Sequence, residues 1–235
     1  MDLLTAKALV TGGSSGIGLE TARALIARGA RVAISARHAS KLEQAAAELG
    51  AVPIQADVSN EDDVIRMVET TVRELGGYDV LINNAGFGVF GPLLESTAAD
   101  YRRVWETNVL GAMLVARESA RHFVRERRGN IVNIASTSGQ HAGPGGGAYA
   151  STKFALSALT ESWRAELREH SIRVMQVNPS QVLTDFVVNS GRPARPYNPT
   201  KLHAEDIAHV IVGMLELHDR GFVTEATVWA TNPKD

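Results

Sequence analysis

The chain has 235 residues, 44 % of them hydrophobic and 21 % charged, with a formal net charge of -2 at pH 7 and no cysteine. That length suits a single large core, and the near-neutral charge offers no electrostatic footprint for nucleic acid. Without cysteine, disulfides, thiolate metal sites and cysteine nucleophiles are all excluded, and no metal site is expected.

Taken in order, Lys7-Ala8-Leu9-Val10-Thr11 reads as a buried strand, followed by Gly12-Gly13-Ser14-Ser15-Gly16-Ile17-Gly18 and a helical pattern from Leu19 to Arg28. Glycines let backbone N–H groups approach a pyrophosphate, and the helix amino end behind them favours negative charge. Nothing ahead of Ala8 resembles a secretory signal, and no apolar run nears the ~20 residues that span a bilayer, so a cytoplasmic protein without membrane contact is expected. A second strand, Arg31 to Ser35, ends at Ala36-Arg37-His38. That is where an acidic residue would hold a ribose 2′-hydroxyl and where an Arg suits a 2′-phosphate. Arg37, with Ser14 and His38 as helpers, therefore predicts NADP(H) over NAD(H).

The alternation continues with a helix from Ser40 to Leu49, a strand Val52 to Gln55, and Asp57-Val58 before a helix opening at Ser59 with acids in its first turn. Strand Val80 to Ile82 leads to Asn83-Asn84-Ala85-Gly86, and one long helix is predicted from Ala98 to Arg127. Strand Ile131 to Ile134, a helix Ala150 to Leu167, and strand Arg173 to Val177 with Asn178-Pro179 come next. An irregular stretch, Leu183 to Lys201, precedes a helix from Ala204 to Leu217 and a last strand, Val223 to Trp229. Strands alternating with helices imply right-handed βαβ units. The predicted fold is a single-domain, doubly wound α/β fold with a seven-stranded parallel sheet in order 3-2-1-4-5-6-7. A loop over residues 185–203 is a candidate substrate lid.

Chemistry concentrates between Ser136 and Lys153. Tyr149 stands four residues before Lys153 on a predicted helix, so phenol and ammonium share one face about a turn apart. A cation within ~4–6 Å lowers a phenol from its usual ~10, which makes Tyr149 a candidate general acid/base. Ser136 ends an apolar strand, where ligands sit in open α/β sheets, and its hydroxyl could hold a carbonyl oxygen.

Thr11-Gly-x-x-x-Gly16-x-Gly18, Asn83-Asn-Ala-Gly86, Ser136 thirteen residues before Tyr149, and Tyr149-x-x-x-Lys153 together resemble the short-chain dehydrogenase/reductase family over nearly the whole chain. The resemblance implies a Rossmann fold and a catalytic tetrad of Asn108, Ser136, Tyr149 and Lys153, with Asn108 holding a water that links Lys153 to solvent. It also implies Asp57 and Val58 flanking the adenine, Asn84, Ala85 and Gly86 along the cofactor, and Pro179, Val182 and Thr184 at the nicotinamide, with Tyr149 and Lys153 contacting the cofactor as well. Where the family usually has Pro-Gly, this chain has Pro179-Ser180, which removes the freedom of a glycine. Pocket candidates are Phe87, Phe90, Gln140, His141, Phe186 and Tyr197, a mostly apolar set that favours uncharged ketones or aldehydes.

The resulting expectation is a carbonyl reductase or alcohol dehydrogenase. The alternatives are a 3-oxoacyl-acyl-carrier-protein reductase, for which Arg125, Arg127 and Arg128 could supply a basic patch, and a non-catalytic dinucleotide sensor. The family habit and apolar positions at Val104, Val109, Met113, Phe154, Leu159 and Trp163 imply a homodimer or homotetramer.

Overall fold

The computed structural model describes residues 1–193 and 196–232. Strands β1 (Lys7–Thr11), β2 (Arg31–Ala36), β3 (Val52–Gln55), β4 (Val80–Asn83), β5 (Gly129–Ile134) and β6 (Ile172–Pro179) are interleaved with six helices. These are α1 (Gly16–Ile26), α2 (Ala39–Leu49), α3 (Glu61–Leu75), α4 (Ala98–Trp105), α5 (Ala112–Glu126) and α6 (Gly147–Leu167). Then follow β7 (Val182–Leu183), α7 (Phe186–Asn189), β8 (Leu202–His203), α8 (Ala204–Glu216) and β9 (Glu225–Val228). The main sheet is parallel throughout, in order β3-β2-β1-β4-β5-β6-β9. This is the expected order, with β9 as the seventh strand because β7 and β8 pair only with each other.

Alternation along the strands divides the core in two. Ala8, Val10, Ile34 and Val132 pack on one face with Leu25 of α1, Leu42 of α2 and Ile211 of α8. Leu9, Ala33 and Ile131 pack on the other with Val64 and Met67 of α3 and Val115 and Phe123 of α5. Each buried Leu, Ile or Phe contributes roughly 1.5–3 kcal/mol, and a one-residue slip would exchange the two faces. Register is therefore set along every strand, and the carboxyl ends of β1, β2, β4, β5 and β6 emerge together.

Three expectations are corrected. The third helix starts at Glu61 behind an Asn60 cap, whose side chain accepts from Asp63 N at 3.1 Å. Ser59 is instead held by Asp57, whose Oδ1 accepts from Ser59 N and Oγ at 3.0 and 2.7 Å. The long helix from Ala98 to Arg127 is broken by a π-helical turn at Glu106–Gly111. A Cβ on Gly111 would lie 2.9 Å from Val58 Cγ2 and 3.0 Å from Val58 O, so the widened turn seats bare backbone against the loop after β3. The stretch from Leu183 to Lys201 carries α7, and β7 and β8 close its base as a parallel ribbon. Of the lid expected at 185–203, residues 194 and 195 lie outside the described residues. Among the described residues no helix is long and apolar enough to cross a membrane.

Candidate active site

The loops after β1 and β4 are locked together. Thr11 Oγ1 accepts from the backbone N–H of Asn84 and of Ala85, each at 3.0 Å, while Asn84 Nδ2 donates to Thr11 O at 2.9 Å. Gly12 takes φ +64°, and a Cβ on Gly18 would lie 2.3 Å from Gly12 O and 2.6 Å from Asn84 Nδ2. No side chain caps α1 at Ser15, so the orphan N–H groups of its first turn remain beside bare glycine backbone. Gly12, Ser14, Ser15, Gly16 and Ile17 line a cleft here, and such a helix amino end suits a pyrophosphate. The residues present fit a dinucleotide.

Arg37 and His38 line the same cleft, together with Ala56, Val58, Asn84, Ala85, Gly86 and Phe87. Gln55 Nε2 donates to Arg37 O at 3.0 Å and holds that corner. Asp57 does not line the cleft, since its carboxylate turns back to Ser59. Phe87 belongs to this cleft, with the Arg103 guanidinium 5.3 Å from its ring centroid.

An adjoining cavity of about 420 Å³ holds Ser136, Tyr149 and Lys153. Ser136 follows β5, and Tyr149 and Lys153 lie within the first two turns of α6, 8 % and 6 % exposed. The Tyr149 ring packs between Phe90 and Phe186, at centroid distances of 5.4 and 5.3 Å. Lys153 Nζ donates to Ile134 O at 2.7 Å and lies 5.7 Å from the Tyr149 ring centroid. Burial pushes the Tyr149 phenol up to about 12, against a hydrogen bond with Ser136 and the charge of Arg192. The net shift is upward where a lowering was expected, because desolvation dominates, and Lys153, whose ammonium is directed to a backbone carbonyl, is not among its causes. Burial also lowers Lys153 to about 8. At neutral pH the pair is a protonated phenol near a cation, which is a proton donor.

Asn108 lies in the π-helical turn. Its Nδ2 donates to Phe87 O at 2.8 Å and to Thr152 Oγ1 at 3.1 Å, and its Oδ1 accepts from Phe87 N at 3.1 Å. The side chain therefore ties the loop after β4 to the residue preceding Lys153.

Of the sequence-predicted pocket residues, Phe90 and Phe186 line the cavity that holds Tyr149, as do Pro179, Val182 and Thr184. Gln140 is turned away, donating to Glu225 Oε1 at 2.8 Å and Thr227 Oγ1 at 3.0 Å. His141 is exposed beyond the short turn Thr137–Gly139. Tyr197 is 78 % exposed and packs on His203 at 5.1 Å between centroids. Sequence reasoning missed Gln181, Val187, Arg192 and Trp229, which line the cavity from the segments after β6 and β9. The one local signal was Gly191, a helix-stop residue just before Arg192. Ser180 is accommodated without strain: it is not among the positive-φ residues, and its N–H donates to Val228 O at 2.9 Å.

Residues 6–194 match the family model described as short chain dehydrogenase, and the chain belongs to the short-chain dehydrogenase/reductase family of oxidoreductases. Among relatives, dehydrogenase/reductase SDR family member 11 of Bos taurus is 35 % identical over 228 residues, covering 88 % of this chain and 89 % of that protein. Gluconate 5-dehydrogenase of Gluconobacter oxydans is 36 % identical over 186 residues, 77 % of this chain and 73 % of that one. The structure of an alcohol dehydrogenase from Thermococcus sibiricus complexed with 5-hydroxy-NADP superposes with a TM-score of 0.89 at 28 % identity, covering 98 % of this chain and 100 % of that one. The 3-ketoacyl-(acyl-carrier-protein) reductase of Brucella melitensis complexed with NADH gives a TM-score of 0.88 at 26 % identity, covering 96 % and 97 %.

Proposed function

We propose that the protein is an NADP(H)-dependent reductase of ketones or aldehydes that acts in reverse on secondary alcohols. The observation that carries this reading is the buried Tyr149 phenol, held protonated beside Ser136 in a cavity that shares Ile17, Asn84 and Gly86 with the glycine-turn cleft. Gly12, Ser14, Ser15, Gly16 and Ile17 would hold the pyrophosphate, with Gly18 allowing the close packing beneath it. Arg37, Ser14 and His38 would hold the 2′-phosphate, and Val58 the adenine side. Asn84, Ala85, Gly86, Pro179, Val182 and Thr184 would hold the nicotinamide half. The nicotinamide, when bound, supplies or accepts the hydride.

Ser136 donates a hydrogen bond to the substrate oxygen and fixes the carbonyl. Tyr149 delivers its proton to that oxygen as negative charge develops there. Lys153, charged below about 8, stabilises the phenolate left behind. Asn108 keeps Phe87 and Thr152 in place around the pair. The NADP-type ligand of the Thermococcus neighbour supports the cofactor choice, as does Arg37 at the end of β2.

An acyl-carrier-protein substrate is not favoured. Arg125, Arg127 and Arg128 lie where α5 ends and β5 begins, whereas Ser136 follows the carboxyl end of β5, and Arg128 pairs with Asp79. The sensor reading loses ground because all four tetrad positions are filled. Residues around α7 act as the lid, with Ser190 Oγ accepting from Gly88 N at 3.2 Å across the cleft. The test is substrate-dependent loss of NADPH absorbance over a panel of small ketones and aldehydes, with NADH alongside. No turnover with any of them, in either direction, overturns the proposal.

A further inference from the structure

Among the described residues, four aromatic side chains line the cavity that holds Ser136: Phe90, Tyr149, Phe186 and Trp229. Three of them are packed on one another. Tyr149 lies between Phe90 and Phe186, these two meet edge to face at 6.5 Å between centroids, and the Arg192 guanidinium carbon sits 3.9 Å from the Phe90 centroid. Trp229 differs. Among the described residues no ring or cation stacks on its indole, and the residue is 63 % exposed.

The sheet fixes where that indole stands. Val228, the last residue of β9, pairs in register with Pro179 of β6, and Ser180 N donates to Val228 O at 2.9 Å. Glu225 and Thr227, alternate residues of β9, both accept from Gln140 Nε2, at 2.8 and 3.0 Å. Gln140 closes the short turn that follows Ser136, so this row of β9 is turned towards the Ser136 loop. Trp229 is next in the alternation, and it reaches the cavity. A large ring left open to water on a backbone held by both neighbours gains by stacking on a second ring, beyond the area that contact buries. The cavity, about 420 Å³, has room for such a ring and a spacer as well as a carbonyl at Ser136.

We propose that Trp229 is the specificity residue of this cavity and stacks on an aromatic ring carried by the substrate. The preferred substrates are then aryl-bearing ketones on reduction and aryl-bearing secondary alcohols in reverse. This rests on the reductase reading above and narrows it, with Ser136 and Tyr149 at the reacting oxygen and Trp229 at the remote ring.

The test compares 4-phenyl-2-butanone and 5-phenyl-2-pentanone with their cyclohexyl counterparts, which keep the carbonyl and the apolar bulk but not the flat ring. Wild type, Trp229→Phe and Trp229→Leu are assayed by kcat/KM with NADPH. Binding is followed separately, by quenching of tryptophan fluorescence in the presence of NADP+. In the wild type at least one phenyl compound is favoured over its counterpart by about two- to tenfold, the scale of one aromatic pair. That ratio is kept in Trp229→Phe and falls towards one in Trp229→Leu, and the quenching disappears in both variants. Four results overturn the inference: a wild type that prefers neither phenyl compound, a Leu variant that loses both members of a pair in proportion, quenching that persists without Trp229, or no quenching at millimolar phenyl ketone. Failure of the reductase reading looks different. Quenching by the phenyl ketones that needs Trp229, with no turnover of any of the four compounds with NADPH or NADH, would leave the ring site standing and remove the reaction.

Discussion

Asn108 holds Phe87 by both backbone groups, its amide nitrogen donating to the carbonyl at 2.8 Å and its amide oxygen accepting from the N–H at 3.1 Å. Gly86 lies so close that an added Cβ would be 3.0 Å from Asn108 Oδ1. The contact joins the π-helical turn to the strand end that borders both cavities. Replacing Asn108 with Ala strands two backbone groups and is expected to cost about 1–3 kcal/mol, read by urea unfolding. A midpoint equal to the wild type would show that other contacts hold the loop.

Tyr149→Phe keeps the ring packed between Phe90 and Phe186 and removes only the proton donor. Turnover should fall by about 10²–10⁴, while cofactor affinity changes little. If the variant retains more than about a tenth of wild-type activity, the proton comes from another group.

The pH profile should follow Lys153. The phenol, raised to about 12, stays protonated well into the alkaline range, so reduction is limited by loss of the Lys153 charge near 8. Activity is expected to be flat at neutral pH and to fall above that value, and Lys153→Arg should move the limb upward. The stability signs are opposite for the two groups. Between about 8 and the ordinary 10.5 the unfolded chain binds the Lys153 proton more tightly, so Lys153 adds stability as pH rises. From 10.0 to about 12 the folded state keeps the Tyr149 proton that the unfolded chain releases, so Tyr149 removes stability. A kcat profile unmoved in Lys153→Arg would argue against this assignment.

Arg37 lines the cleft at the end of β2, and a charge-assisted bond to a 2′-phosphate contributes roughly 1.5–3 kcal/mol. Arg37→Ala should therefore reduce the NADPH-over-NADH ratio of kcat/KM by about ten- to a hundredfold. An unchanged ratio would show that the guanidinium serves only solvent.

The outer faces of α4, the π-helical turn and α6 expose Trp105, Leu110 and Phe154, at 39 %, 44 % and 44 %. Val104, counted among the interface residues from sequence, is fully buried and adds nothing there. A homodimer or homotetramer through these helices is expected, and sedimentation showing only a 25.2 kDa species would reject it.

The sequence by itself determined the alternation of strands and helices, the glycine turn between β1 and α1, and the Tyr149 and Lys153 spacing on one helix face. These are local patterns, readable because strand and helix periods differ and because glycine marks places where a Cβ cannot fit. Only the tertiary structure decided the π-helical turn at Asn108, which the sequence marks by nothing more than Gly111 and which exists because Phe87, Val58 and Thr152 converge on it from elsewhere in the chain. It also decided the sign of the Tyr149 shift, because desolvation depends on Phe90 and Phe186 closing over the ring. Gln140, His141 and Tyr197 were equally eligible by type, but partners drew Gln140 and Tyr197 away from the cavity and His141 stays exposed, while the turn at Gly191 brought Arg192 in. Burial and long-range contact, absent from any local window, set which of the eligible side chains reach the reacting oxygen.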